Sequence, residues 1–364
     1  MQLYVDAQNG TDTAGQGTSW ATAYATPDFA MEDLWTSHGR DTTTDVNGDV
    51  INCVGTFTFS TSMQVVTSPL AGISRRVTFL SRGLSSVDDG QRCLWKADNG
   101  IWNSSTQEYI GFVGFKFRWN LTSTSEKGLR VDRACWFYDC EWDGRDAASI
   151  SSATQFHWNN QVINCRFINM SSSIGNMSIG GQMIGNYVET TAGYSSISLN
   201  SYRNGIITGN TVIIDHQDAG SGFGSIVATS GCQVYGNTVI NRGIKGTGSY
   251  GIQGQSEGVI IANNYVENAT SVIALTSAAN WFYSDNYYYD CTYGQTSSGG
   301  QNWGGQAGVI ELDSSLYTDP PNDWTIANPE AIARRTTTYG GLEYWGGVQQ
   351  IQPQKNGYNP FGEV

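Results

Sequence analysis

The chain has 364 residues and a formal net charge of −13. That charge excludes the basic groove that nucleic-acid binding needs, and it opposes attraction of an anionic polysaccharide to the surface as a whole, though not to a local basic site. With 44 Gly, 7 Pro, 14% charged and 12% aromatic residues, the composition describes turn-rich β structure rather than disorder.

The chain opens on Met1-Gln2-Leu3-Tyr4-Val5-Asp6, a strand-like run without the basic and apolar regions of a leader. It is therefore read as made and used without secretion, or as having lost a leader. Residues 1–48 are expected to form an N-terminal cap. Thr26-Pro27-Asp28 opens a short helix with Pro at its first turn, and Phe29, Met31, Leu34 and Trp35 give it an apolar face. Residues 49–58 (DVINCVGTFT) read as the first strand pair. Residues 60–110, with Arg75-Arg76, hold further coils whose register the sequence does not supply.

From residue 112 onward a repeat sets in. Anchored on Phe115, Cys140, Cys165, Asn186, Asn210, Asn237, Asn264 and Asn286, it recurs every 21–27 residues. The residues three before and two after each anchor are apolar throughout. The residue just before it is Gly114, Asp139, Asn164, Gly185, Gly209, Gly236, Asn263 or Asp285. Gly, Asn and Asp adopt a left-handed backbone at low cost. Each unit is thus a strand, a left-handed bend and a second strand with alternating faces. Further strands are expected midway, at 196–199, 225–228, 251–253 and 271–275. A period of this length built from β-branched and aromatic residues predicts an all-β solenoid, a right-handed single-stranded parallel β-helix over residues 49–292.

The five consecutive anchor asparagines, Asn186, Asn210, Asn237, Asn264 and Asn286, are expected to stack as a structural amide ladder. The seven cysteines (Cys53, Cys93, Cys135, Cys140, Cys165, Cys232 and Cys291) are odd in number and sit in apolar settings, which points to buried free thiols. Cys140 and Cys165 would stack one coil apart. With three histidines and no CxxC pair, no metal site is expected. No apolar run reaches membrane-spanning length. After Cys291 the repeat is expected to stop. Gly294 to Gly308 is loop-like, and Pro320-Pro321 and Pro329 break continuation. Residues 293–364 then form a C-terminal cap, closed by 342–348, and an extended tail at 352–364 that reaches a neighbouring chain.

Tyr4-Val5-Asp6, Gly10-x-Asp12, Gly17-x-Ser19-Trp20 and Ala23-x-x-Thr26 resemble the opening of pectate-lyase-like parallel β-helix proteins. The stretch from Asp49 to Phe57 resembles their first strand, and Asp323-Trp324 through Gly346-Gly347-Val348-Gln349 is similar to their closing segment. The resemblance covers nearly the whole chain. It implies the fold, but not one activity, because the superfamily holds lyases, hydrolases, phage tailspikes and non-catalytic surface proteins.

Chemistry on such a fold belongs on outward positions of neighbouring coils. One residue past the anchor, Lys116, Glu141 and Arg166 alternate in sign, which predicts cross-coil ion pairing with Glu141 in the middle. The resemblance implies a second use: Glu141 and Asp143 holding calcium, with Arg166 or Lys116 abstracting a proton, as in lyases. A second patch pairs Asp215 with Arg242 and Asp218 with Lys245, with His216 between them, as an acid–base set or as salt bridges. The resemblance also supplies the hydrolase groups of this fold, and none is intact here. Arg242-Gly243-Ile244-Lys245 is a partial echo of one, and Asp88-Asp89 lies outside the registered coils. Tyr187, Tyr265 and Tyr287 are expected to face outward, where they would stack on sugar rings.

The expected function is a non-catalytic structural or recognition protein. It would be a surface or appendage component of a tailed-phage virion, a homotrimer or a partner of other virion proteins, with a glycan as candidate ligand. It needs no cofactor, nucleic acid or membrane insertion. The alternative is a polysaccharide lyase or other glycan-active enzyme, with calcium, working extracellularly or in a periplasm after loss of a leader.

Overall fold

The computed structural model describes residues 1–37, 48–59, 77–84, 91–97, 110–119, 129–143, 154–170, 174–177, 180–190, 199–201, 203–215, 224–245, 247–276, 282–297, 309–320 and 322–326. Among these residues the chain winds as a parallel solenoid of three sheets, two of eleven strands and one of eight. In the first sheet, strands from Gln2–Asp6 to Phe282–Ser284 stack in chain order. The second sheet runs from Thr56–Phe59 to Val309–Glu311, and the third from Leu129–Arg133 to Tyr293–Ser297.

The register is the one the repeat predicts. Phe117 pairs with Trp142 and Trp142 with Phe167, while Val212, Val239 and Val266 align further on. The bend residues Gly114, Asp139, Asn164, Gly185, Gly209, Gly236, Asn263 and Asp285 all have φ between 50° and 75°. A further bend, leading from the third sheet into the first, is left-handed at Ala134, Asn159, Gly180, Asn204, Gly231 and Gly258. Ala134 carries no sequence signal for it.

Inward rows become stacks one coil apart. In the early coils they are aromatic. Trp142 and Phe167 stack at 4.5 Å, Phe117 and Trp142 at 5.1 Å, and Phe79 and Phe112 at 5.1 Å. Flat rings suit the strand spacing of about 4.8 Å, because each ring covers the next without forcing the coils apart. Later coils replace rings by Val188, Val212, Val239 and Val266, all buried.

The amide ladder forms as expected. Each Nδ2 donates at 2.9 Å to the Oδ1 of the next coil's asparagine, from Asn186 through Asn210, Asn237 and Asn264 to Asn286. The same Oδ1 accepts the backbone N–H of the preceding rung. Each Nδ2 also reaches a backbone carbonyl one coil back, such as Val162 O for Asn186 and Ile207 O for Asn237. Cys140 and Cys165 take over this role. Their thiols lie 3.5 and 3.4 Å from the equivalent carbonyls of Phe112 and Phe137. None of the seven cysteines is in a disulfide.

The strands extend beyond both ends of the expected solenoid. Gln2–Asp6 pairs in parallel with Asp49–Val54, so it opens the first sheet. Leu94–Ala97 supplies a coil that the sequence left unregistered, with Cys93 ahead of Phe115 in the anchor row. Tyr293–Ser297 and Val309–Glu311 continue the third and second sheets past Cys291, where the repeat was expected to stop. The helix spans Pro27–Thr36, capped by Thr26, whose hydroxyl accepts from Phe29 N at 3.3 Å. Asp12 holds that corner by accepting from Ala25 N, Thr26 N and the Thr26 hydroxyl. Gly17, at φ 75°, lies so close to the Tyr24 ring that a Cβ would come within 1.9 Å of it. The motif residues of the opening thus act structurally. The expected closing segment at 342–348, the tail at 352–364, Arg75-Arg76 and Pro329 lie outside the described residues.

Candidate functional site

The charged candidates gather on the outward face of the second sheet. Strand alternation turns Lys116, Arg118, Glu141, Asp143 and Arg166 outward, while Phe117, Trp142 and Phe167 between them point into the core. Coil stacking brings the charged groups together. Lys116 Nζ lies 2.5 Å from Glu141 and 3.6 Å from Asp143. Arg118 lies 3.3 Å from Asp143, and Arg166 3.7 Å from Glu141. Glu141 sits between Lys116 and Arg166 in register, as predicted. The Asp143 side chain is fully buried, whereas that of Arg166 is half exposed at 51%. Lys96 continues the row of Arg118 and Asp143 one coil earlier. Over the early coils from Lys96 to Arg166 these outward rows therefore hold four cations against two carboxylates.

The two carboxylates of the calcium reading are the ones these cations engage. Among the described residues no group of three or more His, Cys, Asp or Glu gathers as a metal site. Lys116 stands against both Glu141 and Asp143, so a cation bound there would have to displace it.

The ion-pair line continues along the axis. The Arg166 guanidinium lies over the Tyr187 ring at 5.5 Å. The Tyr187 hydroxyl donates to Glu189 at 3.1 Å, and Glu189 accepts from Arg242 at 2.8 Å. Arg242 also grips Asp215 with two hydrogen bonds, 2.9 and 2.8 Å. Burial disfavours the Arg242 charge, but the bonds to Asp215 and Glu189 outweigh it, and the guanidinium titrates above its ordinary range. The pairing of Asp215 with Arg242 is as expected from register. Glu189, the other partner, was not expected, because it lies two coils away. Lys245 reaches Asp290, at 2.9 Å, together with the Asp290 carbonyl. Its expected partner Asp218 lies outside the described residues, as do His216 and Asp88-Asp89.

The three tyrosines are not the exposed rings that strand alternation predicts. Tyr187, Tyr265 and Tyr287 occupy outward positions, but they are exposed by only 9%, 1% and 6%. After Glu311 the chain turns back over this face. Leu312, Leu316 and Tyr317 pack with Ile213, Ile240 and the three tyrosines as a second apolar cluster. The Tyr265 hydroxyl donates to Glu267 at 2.6 Å and accepts from Leu316 N at 3.0 Å. Tyr317 meets Thr238 at 3.2 Å, and its ring contacts that of Tyr265. Burial and the adjacent carboxylates raise the pKa of Tyr187 and Tyr265. These rings offer no open face to a sugar. The outward isoleucines Ile213 and Ile240 were the available signal that something covers them.

No protein-family model matches the sequence, and no curated protein matches it. Two solved structures are similar to it. One is the native crystal structure of GH136 lacto-N-biosidase from Eubacterium ramulus, with a TM-score of 0.44 and 9% identity over 85% of this chain and 68% of that one. The other is its selenomethionine derivative, with a TM-score of 0.46 and 10% identity over 83% and 67%.

Proposed function

We propose that this protein is a non-catalytic structural or recognition solenoid, a surface or appendage component of a tailed-phage virion that works as a homo-oligomer. One observation carries the reading. The described acid–base candidates of the second sheet are engaged with one another: Lys116 and Arg166 with Glu141, Arg118 with Asp143, and Arg242 with Glu189 and Asp215. A general base or acid must come within hydrogen-bond reach of its substrate. Each of these groups would first have to break a pair that the coil register builds. As ties between coils they serve a rigid rod that presents its faces to other molecules.

The second reading is a polysaccharide lyase acting outside the cell, with calcium at Glu141 and Asp143. It is favoured by the surplus of cations in the early coils, where Lys96, Lys116, Arg118 and Arg166 face two carboxylates. That local excess suits an anionic chain in an otherwise acidic protein.

Incubation with a panel of uronate polysaccharides, with and without calcium, separates the two. The expected result is no unsaturated product and no new reducing ends. Product formation that is lost in Glu141→Ala, at an unchanged melting temperature, would put the lyase first.

A further inference from the structure

Beyond its first two strands, the first sheet contains no Asp, Glu, Lys or Arg at all. The residues of the inward row, such as Phe112, Phe137 and Val162, are core and are expected to be apolar. The outward rows are the informative ones. One runs Gln161, Gln182, Ile206, Gln233, Ile260 and Phe282, each paired in register with the next. The other runs Tyr138, Ile163, Ile184, Thr208, Tyr235 and Ala262. On a solvated sheet face such positions would carry charges, as the second sheet does. Ile260 and Phe282, neighbours in register, stand 38% and 45% exposed.

The face is also pre-arranged. The Tyr138 hydroxyl donates to Gln161, whose Nε2 donates to Gln182 Oε1 at 3.4 Å, so side chains lie along the row rather than reaching into water. The Trp136 indole lies against Gly111 one coil back, where a Cβ would come within 1.8 Å of its Nε1. Charged groups return at the flanking bends, with Asp139 and Asp285 on one side. An uncharged, partly apolar centre with a polar rim is the anatomy of a protein interface.

We infer that this face is where a second copy of this chain docks. The inference rests on the homo-oligomer clause of the proposed function and names the surface that serves it. Three arguments select a copy as occupant. Two chains each bearing −13 repel wherever their charges meet, so they approach at least cost through a face whose strands have none; the third sheet is also uncharged after its first strand, but its Val227 and Ala274 are already buried. Gln, Thr and Tyr side chains both donate and accept, so each can pair with its own image across a twofold axis, as an isologous contact requires. The size also fits. Nine strands about 4.8 Å apart give a strip about 40 Å long and, with its bends, about 20 Å wide, or about 800 Å² per partner, the area of a standard interface.

The test places isosteric charges on the strip in the full-length chain. Light scattering and sedimentation should find wild type as a dimer or larger oligomer. The double variant Gln182→Glu/Gln233→Glu should associate at least tenfold more weakly at an unchanged melting temperature. Gln253→Glu/Gln255→Glu, the same charge change on and beside the third sheet, should leave association as it was. Ile260→Thr/Phe282→Ser, at exposed positions that the fold does not need, should weaken association as well and serves if the first variant unfolds. Equal dissociation in the first variant and the third-sheet control would reduce the effect to net charge and overturn the inference. Persistent oligomers in both first-sheet variants would overturn this face while leaving the homo-oligomer reading standing. A monomeric wild type would overturn both, and its retention on a neutral polysaccharide through the same residues would reassign the strip to a glycan.

Discussion

At Asn237 one residue makes six bonds, five of them through its side chain. Its Nδ2 donates to Asn264 Oδ1, Ile207 O and Tyr235 O, and its Oδ1 accepts from both the backbone and the side chain of Asn210. Its own N–H donates to Asn264 Oδ1. The residue is fully buried, so water cannot replace any of these partners. Asn237→Leu has similar bulk but strands the Asn210 amide and the Ile207 carbonyl. Leaving buried groups unpaired costs about 1–3 kcal/mol, and the loss here should fall at the upper end. Urea unfolding of the variant checks it; a loss below about 0.5 kcal/mol would mean that the ladder relaxes around the gap. This residue-level detail was legible beforehand, because one amide at one left-handed bend per coil leaves little choice of partner.

At the scale of the strand, Glu141 and Asp143 stand two residues apart on one outward face and differ in burial. The Glu141 side chain is 15% exposed and that of Asp143 is not exposed at all. Both Lys116 and Arg166 keep access to water when Glu141 is removed, so Glu141→Ala should lower stability by less than about 1 kcal/mol, the range of surface pairs. Asp143→Ala removes a desolvated carboxylate from between Lys116 and Arg118. Breaking a buried pair costs about 3–5 kcal/mol, and partial rehydration of the two cations should reduce that to roughly 2–3 kcal/mol. Thermal melts of the two single variants test the order, and equal losses would contradict it. The sequence showed the alternation of Lys116, Glu141 and Arg166. It did not show that Asp143 is the buried member, because that depends on how the arginine and lysine side chains close over it.

At the scale of the whole molecule, charge is unevenly placed. The second sheet carries the ion-pair line, while the first carries an uncharged strip along most of its length. Copies that dock through the strip bring their remaining negative charges near one another. Salt shortens the screening length from about 10 Å at 0.1 M to about 3 Å at 1 M. Self-association should therefore tighten, by about threefold or more, as salt rises from about 50 mM to about 500 mM. An interface built on ion pairs would weaken over the same range, so sedimentation across a salt series distinguishes the two kinds of contact.

The coil, its register and its inner ladder are legible in the order of residues alone. Those follow from local chemistry repeated at a fixed interval: a left-handed residue, an anchor, and apolar positions of alternating parity. The repeat pattern misses the coil through Leu94–Ala97 because Arg92, not Gly, Asn or Asp, precedes the anchor Cys93, Gly90 stands where the template is apolar, and the preceding anchor, Gly55, lies a long interval away. Tertiary structure alone decided what each outward face meets. Tyr187, Tyr265 and Tyr287 point outward as the alternation requires, yet Leu312, Leu316 and Tyr317 return across them. Arg242 finds Glu189 and Lys245 finds Asp290 two coils away. Strand parity says which side of the sheet a residue is on; only the path of the chain after the last coil, and the reach of long side chains across stacked coils, says what is waiting there.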